Sequence, residues 1–229
     1  MLENKIKNDT QIYTSITALF VAVLIISNIA STKLTQVGSF VLDAGTILFP
    51  LSYIFGDVLT EVYGYAKTRR VIWTGFFCSI LASLIFFLVQ YLPPASEWGN
   101  QAAYESILGL VPRIVFASVT AYLVGSFVNS YVISKVKIYT KGKKMWARFI
   151  ASTICGQFFD TMIFVLIAFA GIVPNSVLLA LIISNYVFKV LVEILLLPLT
   201  YKLVKYIKRV EGVDYFDEST NFTPFRLRD

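Results

Sequence analysis

Six stretches of predominantly apolar residues, each about 20 residues or longer, can be marked along this chain without overlap, and each would cross the roughly 30 Å hydrocarbon core of a bilayer as a helix. They are 12–31, 40–63, 71–92, 111–133, 149–173 and 177–199. In hydrocarbon every backbone polar group must be satisfied within the chain, which leaves helices or closed barrels, and runs of this length are helical. The expected fold is therefore an all-α membrane protein with six transmembrane helices over residues 1–210 and a cytoplasmic tail over 211–229. Composition agrees: 57% of the 229 residues are hydrophobic and 15% charged, against 45–50% apolar for a soluble domain. The first window is read as a retained helix, because "ISNIAST" offers no small-x-small cleavage site. Cys78 and Cys155 both fall inside windows, so they read as small apolar fillers rather than a disulfide framework.

Charge sets the expected orientation. Lys5 and Lys7, the group Lys67, Arg69 and Arg70, the run from Lys135 to Arg148, and the tail from Lys202 onward occupy alternate segments, while the other segments hold only Lys33. By the positive-inside rule both termini are cytoplasmic. The net charge of +6 then follows from topology and from anionic lipid headgroups, and it gives no support to nucleic-acid binding. The longest external segment, between the third and fourth windows, should carry a short interfacial helix near 104–110, anchored by Trp98 and Tyr104.

Several ionisable residues lie at membrane depth, where each costs a few kcal/mol unless it is paired or hydrated. Asp57 and Glu61 fall in the inner part of the second window, Arg113 at the outer end of the fourth, Asp160 in the middle of the fifth, and Lys189 and Glu193 in the sixth. A structural ion-pair lattice would explain any one of them; so many on four windows point to a polar interior. Thr153, Gln157, Asp160 and Thr161 share one helix face with Gly156 between them, and Asn185, Lys189 and Glu193 step by four along the next helix. Asp160 and Lys189 lie at similar depth on helices joined by a very short turn, so a contact between them is expected. Lys before Glu at i, i+4 is the less favoured order, which should send Glu193 to another partner. Pro50, with Gly45 and Gly56 around it, should kink or break the second helix. Beyond it Asp57 and Glu61 share a face one turn apart, a candidate for proton coupling. Tyr53, Tyr63, Tyr122, Phe158, Phe159, Tyr186 and Phe188 lie close to these stripes and could stack on a planar ligand.

"SN" at the end of the first window, "GDVLTEVYGYAKTRR" across the end of the second, "PRIVFASVTAYLVGSFVN", "STICGQFFDT" and "NYVFKVLVEILLLP" occur in order over 27–198. In this combination the chain resembles the queuosine precursor transporter family, also called the vitamin uptake transporter family. The resemblance implies uptake of 7-cyano-7-deazaguanine, 7-aminomethyl-7-deazaguanine or queuine, for salvage into the queuosine of tRNA. It also implies a six-helix bundle similar to the substrate-binding components of energy-coupling-factor transporters. On this reading Asp160 accepts the adjacent N–H and amine of a guanine-like edge. Gln157 or Asn185 serves the other polar edges, Tyr186 and Thr161 complete the site, and Lys189 balances Asp160. Asp57, Glu61, Arg113 and Glu193 become gating or coupling residues.

Two transport readings stand side by side: a self-contained importer, and a binding component that needs a separate ATPase. An enzyme is disfavoured, since the chain has no His, no metal-ligand cluster, no phosphate loop and no nucleophile with an evident base. No cofactor and no metal are expected. The expected partners are a deazaguanine and the lipid of a bacterial-type plasma membrane, with a homodimer as an option.

Overall fold

The computed structural model describes residues 2–218 and 220–225, with side chains from residue 12 onward. Seven helices and one hairpin follow in the order α1 (Leu2–Ala30), β1 (Leu34–Val37), β2 (Phe40–Asp43), α2 (Phe49–Tyr63), α3 (Tyr65–Gln90), α4 (Gln101–Leu108), α5 (Val111–Tyr139), α6 (Met145–Phe169) and α7 (Asn175–Glu211). Five stretches are long and apolar enough to cross a membrane: α1 from Ile12, α3, α4 with α5, α6, and α7. The short helix expected between the third and fourth windows is α4, which buries none of its residues.

The second window departs from expectation. Its outer part is not helix: β1 and β2 pair antiparallel from Leu34 opposite Asp43 to Val37 opposite Phe40, and a single 3-10 turn, Ala44–Ile47, follows. Asp43 caps that turn, accepting from Thr46 N at 3.1 Å and Thr46 Oγ1 at 2.7 Å. Pro50 then sits in the first turn of α2 rather than at a mid-span kink, because the N–H it lacks would have had no helical partner there. At 15 residues α2 is about 22 Å long, short of a full crossing. Irregular backbone at this depth is tolerated where protein covers it, and Leu42, Asp43, Gly45 and Thr46 are all buried.

Burial places α2 at the centre. Val58, Leu59, Glu61 and Val62 have no exposed surface, and the helix packs against α1, α3, α5 and α7. Phe20 and Leu24 of α1, Phe76 of α3 and Tyr122 and Ile133 of α5 join this core. A second apolar cluster, with Ala117, Ala121, Phe164 and Leu181, closes the hairpin end of α5, α6 and α7. The outer face of α3 leaves Phe77, Ile80, Leu81 and Leu84 uncovered, as a lipid-facing helix should.

The opposite end is basic, and the segment after α7 does not trail away from it. The helix stops at Gly212, whose φ of +66° is the left-handed conformation glycine adopts most readily. The chain then turns back over the ends of α2, α3 and α5. Asp217, 3% exposed, accepts from Tyr65 N at 3.1 Å on both oxygens and from Ser134 Oγ at 2.9 Å, so it caps the start of α3 from a distance. The fully buried Arg69 donates from Nη1 to Asn221 O and Thr223 O, both at 2.8 Å, and Trp73 Nε1 donates to Pro224 O at 2.8 Å. Tyr215 lies against Gly64, where a Cβ would come within 2.3 Å of its ring. The described part of the segment expected to be a cytoplasmic tail is packed as a strap.

A polar column and candidate binding site

Antiparallel α6 and α7, joined through Gly171 and Pro174, bring Asp160 and Lys189 together: Lys189 Nζ donates to Asp160 Oδ2 at 2.9 Å, with both side chains at most 2% exposed. The rings of Phe49 and Phe164 stand 4.6 and 5.8 Å from the ammonium, a geometry that stabilises the cation through the ring faces. α5 approaches α6 closely because Gly125 faces it. A Cβ on Gly125 would lie 2.4 Å from Tyr53 Oη, 2.7 Å from Asp160 Cβ and 2.9 Å from Gly156 O. The missing side chain is what lets the Tyr53 hydroxyl reach the neighbourhood of Asp160.

Hydrogen-bonding capacity remains unused around this pair. Asp160 Oδ1, Thr161 Oγ1, Gln157 Oε1 and Asn129 Oδ1 are buried with no close hydrogen-bond partner among the described residues. A buried orphan costs about 1–3 kcal/mol, and native interiors hold few of them. Here they cluster on α5 and α6 beside one carboxylate, with the Tyr53 hydroxyl of α2 next to it, a mixed set of donors and acceptors suited to a flat polar ligand. Among the described residues, no group of three or more His, Cys, Asp or Glu side chains is arranged to hold a metal.

The pair is one stage of a polar column. Toward the hairpin, Asn185 donates to Asp43 Oδ2 at 3.2 Å and accepts from Thr46 Oγ1 at 3.1 Å, while Ser31 Oγ donates to Asp43 Oδ1 at 2.7 Å. On the other side of the pair, Glu193 accepts from Thr153 Oγ1 at 2.7 Å and from Gln157 Nε2. Asp57 accepts from Asn129 Nδ2 at 2.5 Å. At the basic end Arg148 grips Glu61 with both arms of its guanidinium, Nε to Oε2 at 2.8 Å and Nη2 to Oε1 at 2.7 Å, and Lys208 Nζ adds a contact at 2.5 Å. Lys137 Nζ, 3.6 Å from the same carboxylate, also binds Asp214 of the strap at 2.7 Å. Burial pushes the Asp214 carboxyl up, but the hydrogen bonds and charges of Lys137 and Lys208 outweigh it and hold it below the usual carboxylate range.

Asp160, Lys189, Gln157, Thr161 and Glu193 thus share the α6–α7 interface, with Asn185 one turn along α7. Two expectations need correction. Arg113 is not an interior residue: its side chain is exposed and donates from Nε to Ile167 O at 2.9 Å and from Nη2 to Ala170 O at 2.6 Å, satisfying the last carbonyls of α6. Tyr186 does not converge on Asp160; its ring packs edge-on against Phe158, itself 49% exposed, and its hydroxyl turns to Ile154 O at 3.4 Å. Asp57 and Glu61 are both buried, and each has a basic or amide partner on a neighbouring helix: Asn129 for Asp57, and Arg148 with Lys137 and Lys208 for Glu61.

Asp43, Asn129 and the buried roles of Arg148 and Lys137 were missed from sequence. Asp43 lies inside the second apolar window with no periodic polar neighbour, and the two cations belong to the basic run that sets the orientation. The usable signal was position: Arg148 immediately precedes an apolar run, and Lys137 falls one helical turn beyond the apolar part of α5.

The geometry can now be set beside known proteins. The family model described as "Putative vitamin uptake transporter" matches residues 43–203. The chain is 34% identical over 188 residues to the "Probable queuosine precursor transporter" of Bacillus subtilis (strain 168), a match covering 81% of each chain. It is 29% identical over 155 residues to the "Queuosine precursor transporter" of Escherichia coli (strain K12), covering 66% of each. No solved structure matches it significantly. With a family match across most of its length and at least five apolar helices, this multi-pass bacterial membrane protein belongs to the vitamin uptake transporter family.

Proposed function

We propose that this protein imports queuosine precursors, namely 7-cyano-7-deazaguanine, 7-aminomethyl-7-deazaguanine or queuine, as a self-contained carrier. The observation that carries the reading is the free oxygen of Asp160, buried among other unpaired groups. A guanine-like edge offers N1–H and the exocyclic amine side by side, and a carboxylate accepts both. Lys189 is paired with Asp160 and has further N–H donors to offer the ligand carbonyl. Gln157 Oε1, Thr161 Oγ1 and Tyr53 Oη supply the remaining polar contacts, and Tyr53, Tyr122 and Phe49 the flat walls. Tyr53 takes the place first given to Tyr186.

The basic end faces the cytoplasm on this reading, with both termini inside, as the distribution of Lys and Arg supports. Two closures then bound the site. The hairpin and the Asp43, Thr46 and Asn185 network close it outward. The Glu61 cage, tied through Lys137 and Lys208 to Asp214 of the strap, closes it inward. Release of cargo requires these inner contacts to part, which gives Glu61 a gating role.

Uptake of labelled 7-cyano-7-deazaguanine by proteoliposomes holding this chain alone tests the proposal. The expected result is accumulation suppressed by unlabelled competitor bases. Binding without uptake would instead assign the chain to the binding-component class, and absence of both would remove the cargo assignment.

A further inference from the structure

A cavity of about 510 Å³ opens at the basic end, between the start of α6 and the last turns of α7. Its lining is divided. One side is cationic, with Lys144 and Lys205 at the mouth and Arg148 and Lys208 on the floor, and the other is built from Met145, Trp146, Tyr201 and Val204. None of these residues belongs to the midplane site.

The charges behind the cavity do not balance. Glu61 and Asp214 are the carboxylates bonded to its floor, and Arg148, Lys208 and Lys137 already share them. Lys144 and Lys205 are exposed and pair with no carboxylate among the described residues. The turn that presents Lys144 is also unusual: Lys141 and Lys144 adopt φ of +51° and +55°, a conformation a lysine takes only when its surroundings hold it there. Trp146 is 55% exposed on the apolar side, at the end of a membrane-crossing helix, where tryptophan marks headgroup depth.

We propose that this cavity binds a phosphoryl group, presented by an anionic phospholipid of the adjacent leaflet. Lys144 and Lys205 take the phosphate, Arg148 and Lys208 add the field of the floor, and the Trp146 and Tyr201 wall receives the glycerol and upper acyl carbons. A free phosphate would use the cations and leave the apolar wall without a function, which favours the lipid. Anionic lipid would then bear on the same Arg148 and Lys208 that hold Glu61.

The test uses the full chain in phosphatidylcholine nanodiscs carrying a minor fraction of brominated lipid, with the Trp146 signal taken as the difference between the native protein and Trp146→Phe. Brominated phosphatidylglycerol should quench that signal more strongly than brominated phosphatidylcholine. Each mouth lysine is expected to contribute about fivefold to the preference, so Lys144→Ala with Lys205→Ala should lower it by about 25-fold. Both lysines are exposed, so the double variant leaves the packed core untouched. Equal quenching by the two lipids would overturn the proposal. Loss of the preference on adding inorganic phosphate, at constant ionic strength, would overturn the lipid assignment and leave a soluble phosphate as the occupant.

Discussion

Gly125→Ala adds one methyl group where α5 meets α6, and two effects of opposite sign decide its outcome. Alanine is the better helix former by about 1 kcal/mol, so propensity alone would stabilise the protein. The new Cβ, however, would lie 2.4 Å from Tyr53 Oη, 2.7 Å from Asp160 Cβ and 2.9 Å from Gly156 O. Tyr53 Oη is the far end of a side chain and can swing aside. Gly156 O and Asp160 Cβ are fixed to α6, so relief there requires the helices to part. Overpacking of this kind costs about 1–3 kcal/mol, and two clashes against helix-bound atoms place it in the upper part of that range. The net expectation is a loss of about 1–2 kcal/mol, together with displacement of Tyr53 and Asp160 from a common ligand. Losing one hydrogen bond to a charged group would weaken deazaguanine binding about tenfold or more. Unfolding in SDS and a dissociation constant on the same purified protein measure both quantities. A variant that is more stable than the native protein and binds equally well would refute the close approach of α5 and α6.

Glu61→Gln should lower stability by about 3–5 kcal/mol in the same unfolding assay, because it leaves the buried Arg148 without its counter-charge while Lys137 and Lys208 retain only Asp214; native stability in the variant would refute the cage. Lys189→Met combined with Asp160→Asn should fold better than Asp160→Asn alone, since removing both charges of a buried pair is far less costly than stranding one. If instead the double variant is the less stable of the two, the pair is not a closed electrostatic unit. Asp214 is held below its unfolded pKa of about 3.9, so its contribution to strap docking is present above that pH and is lost only as pH falls through the lower, folded value. Hydrogen exchange at the Tyr215 amide, corrected for intrinsic rates, should show unchanged protection from about pH 7 to 5; loosening within that window would contradict the assignment.

Much of this fold follows from hydropathy, because α1, α3, α5, α6 and α7 each need an apolar run and the chain supplies one. Their ends do not follow as well. α7 continues to Glu211, past the window ending at 199, since its last turns need only an inner apolar face, supplied by Val204 and Ile207. The second window misled for a physical reason: hydropathy measures burial, and Leu42, Asp43, Gly45 and Thr46 are buried by neighbouring elements without being α-helical. Pro50 read as a defect in a long helix when it is the start of a short one. The Asp160–Lys189 contact was legible because depth along two antiparallel helices is simple arithmetic. Rotation about the helix axis was not, which is why Tyr186 was drawn into the site and Asn129 left out of it. The strap was illegible for another reason: its anchors are carbonyls of Asn221, Thr223 and Pro224, and backbone acceptors leave no mark in composition.

The central claim, that the free oxygen of Asp160 reads a guanine-like edge, rests most directly on one coupling measurement. Dissociation constants are needed for 7-cyano-7-deazaguanine and for its counterpart without the exocyclic amine, each on the native protein and on purified, monodisperse Asp160→Asn. In the native protein, loss of the amine removes one hydrogen bond to a charged group and should cost about 10- to 150-fold in affinity. In Asp160→Asn the side-chain NH₂ already opposes that amine, so deleting it should cost little. A strong penalty in the first protein that disappears in the second is the predicted result; an equal penalty in both would show that the amine is read by something other than Asp160.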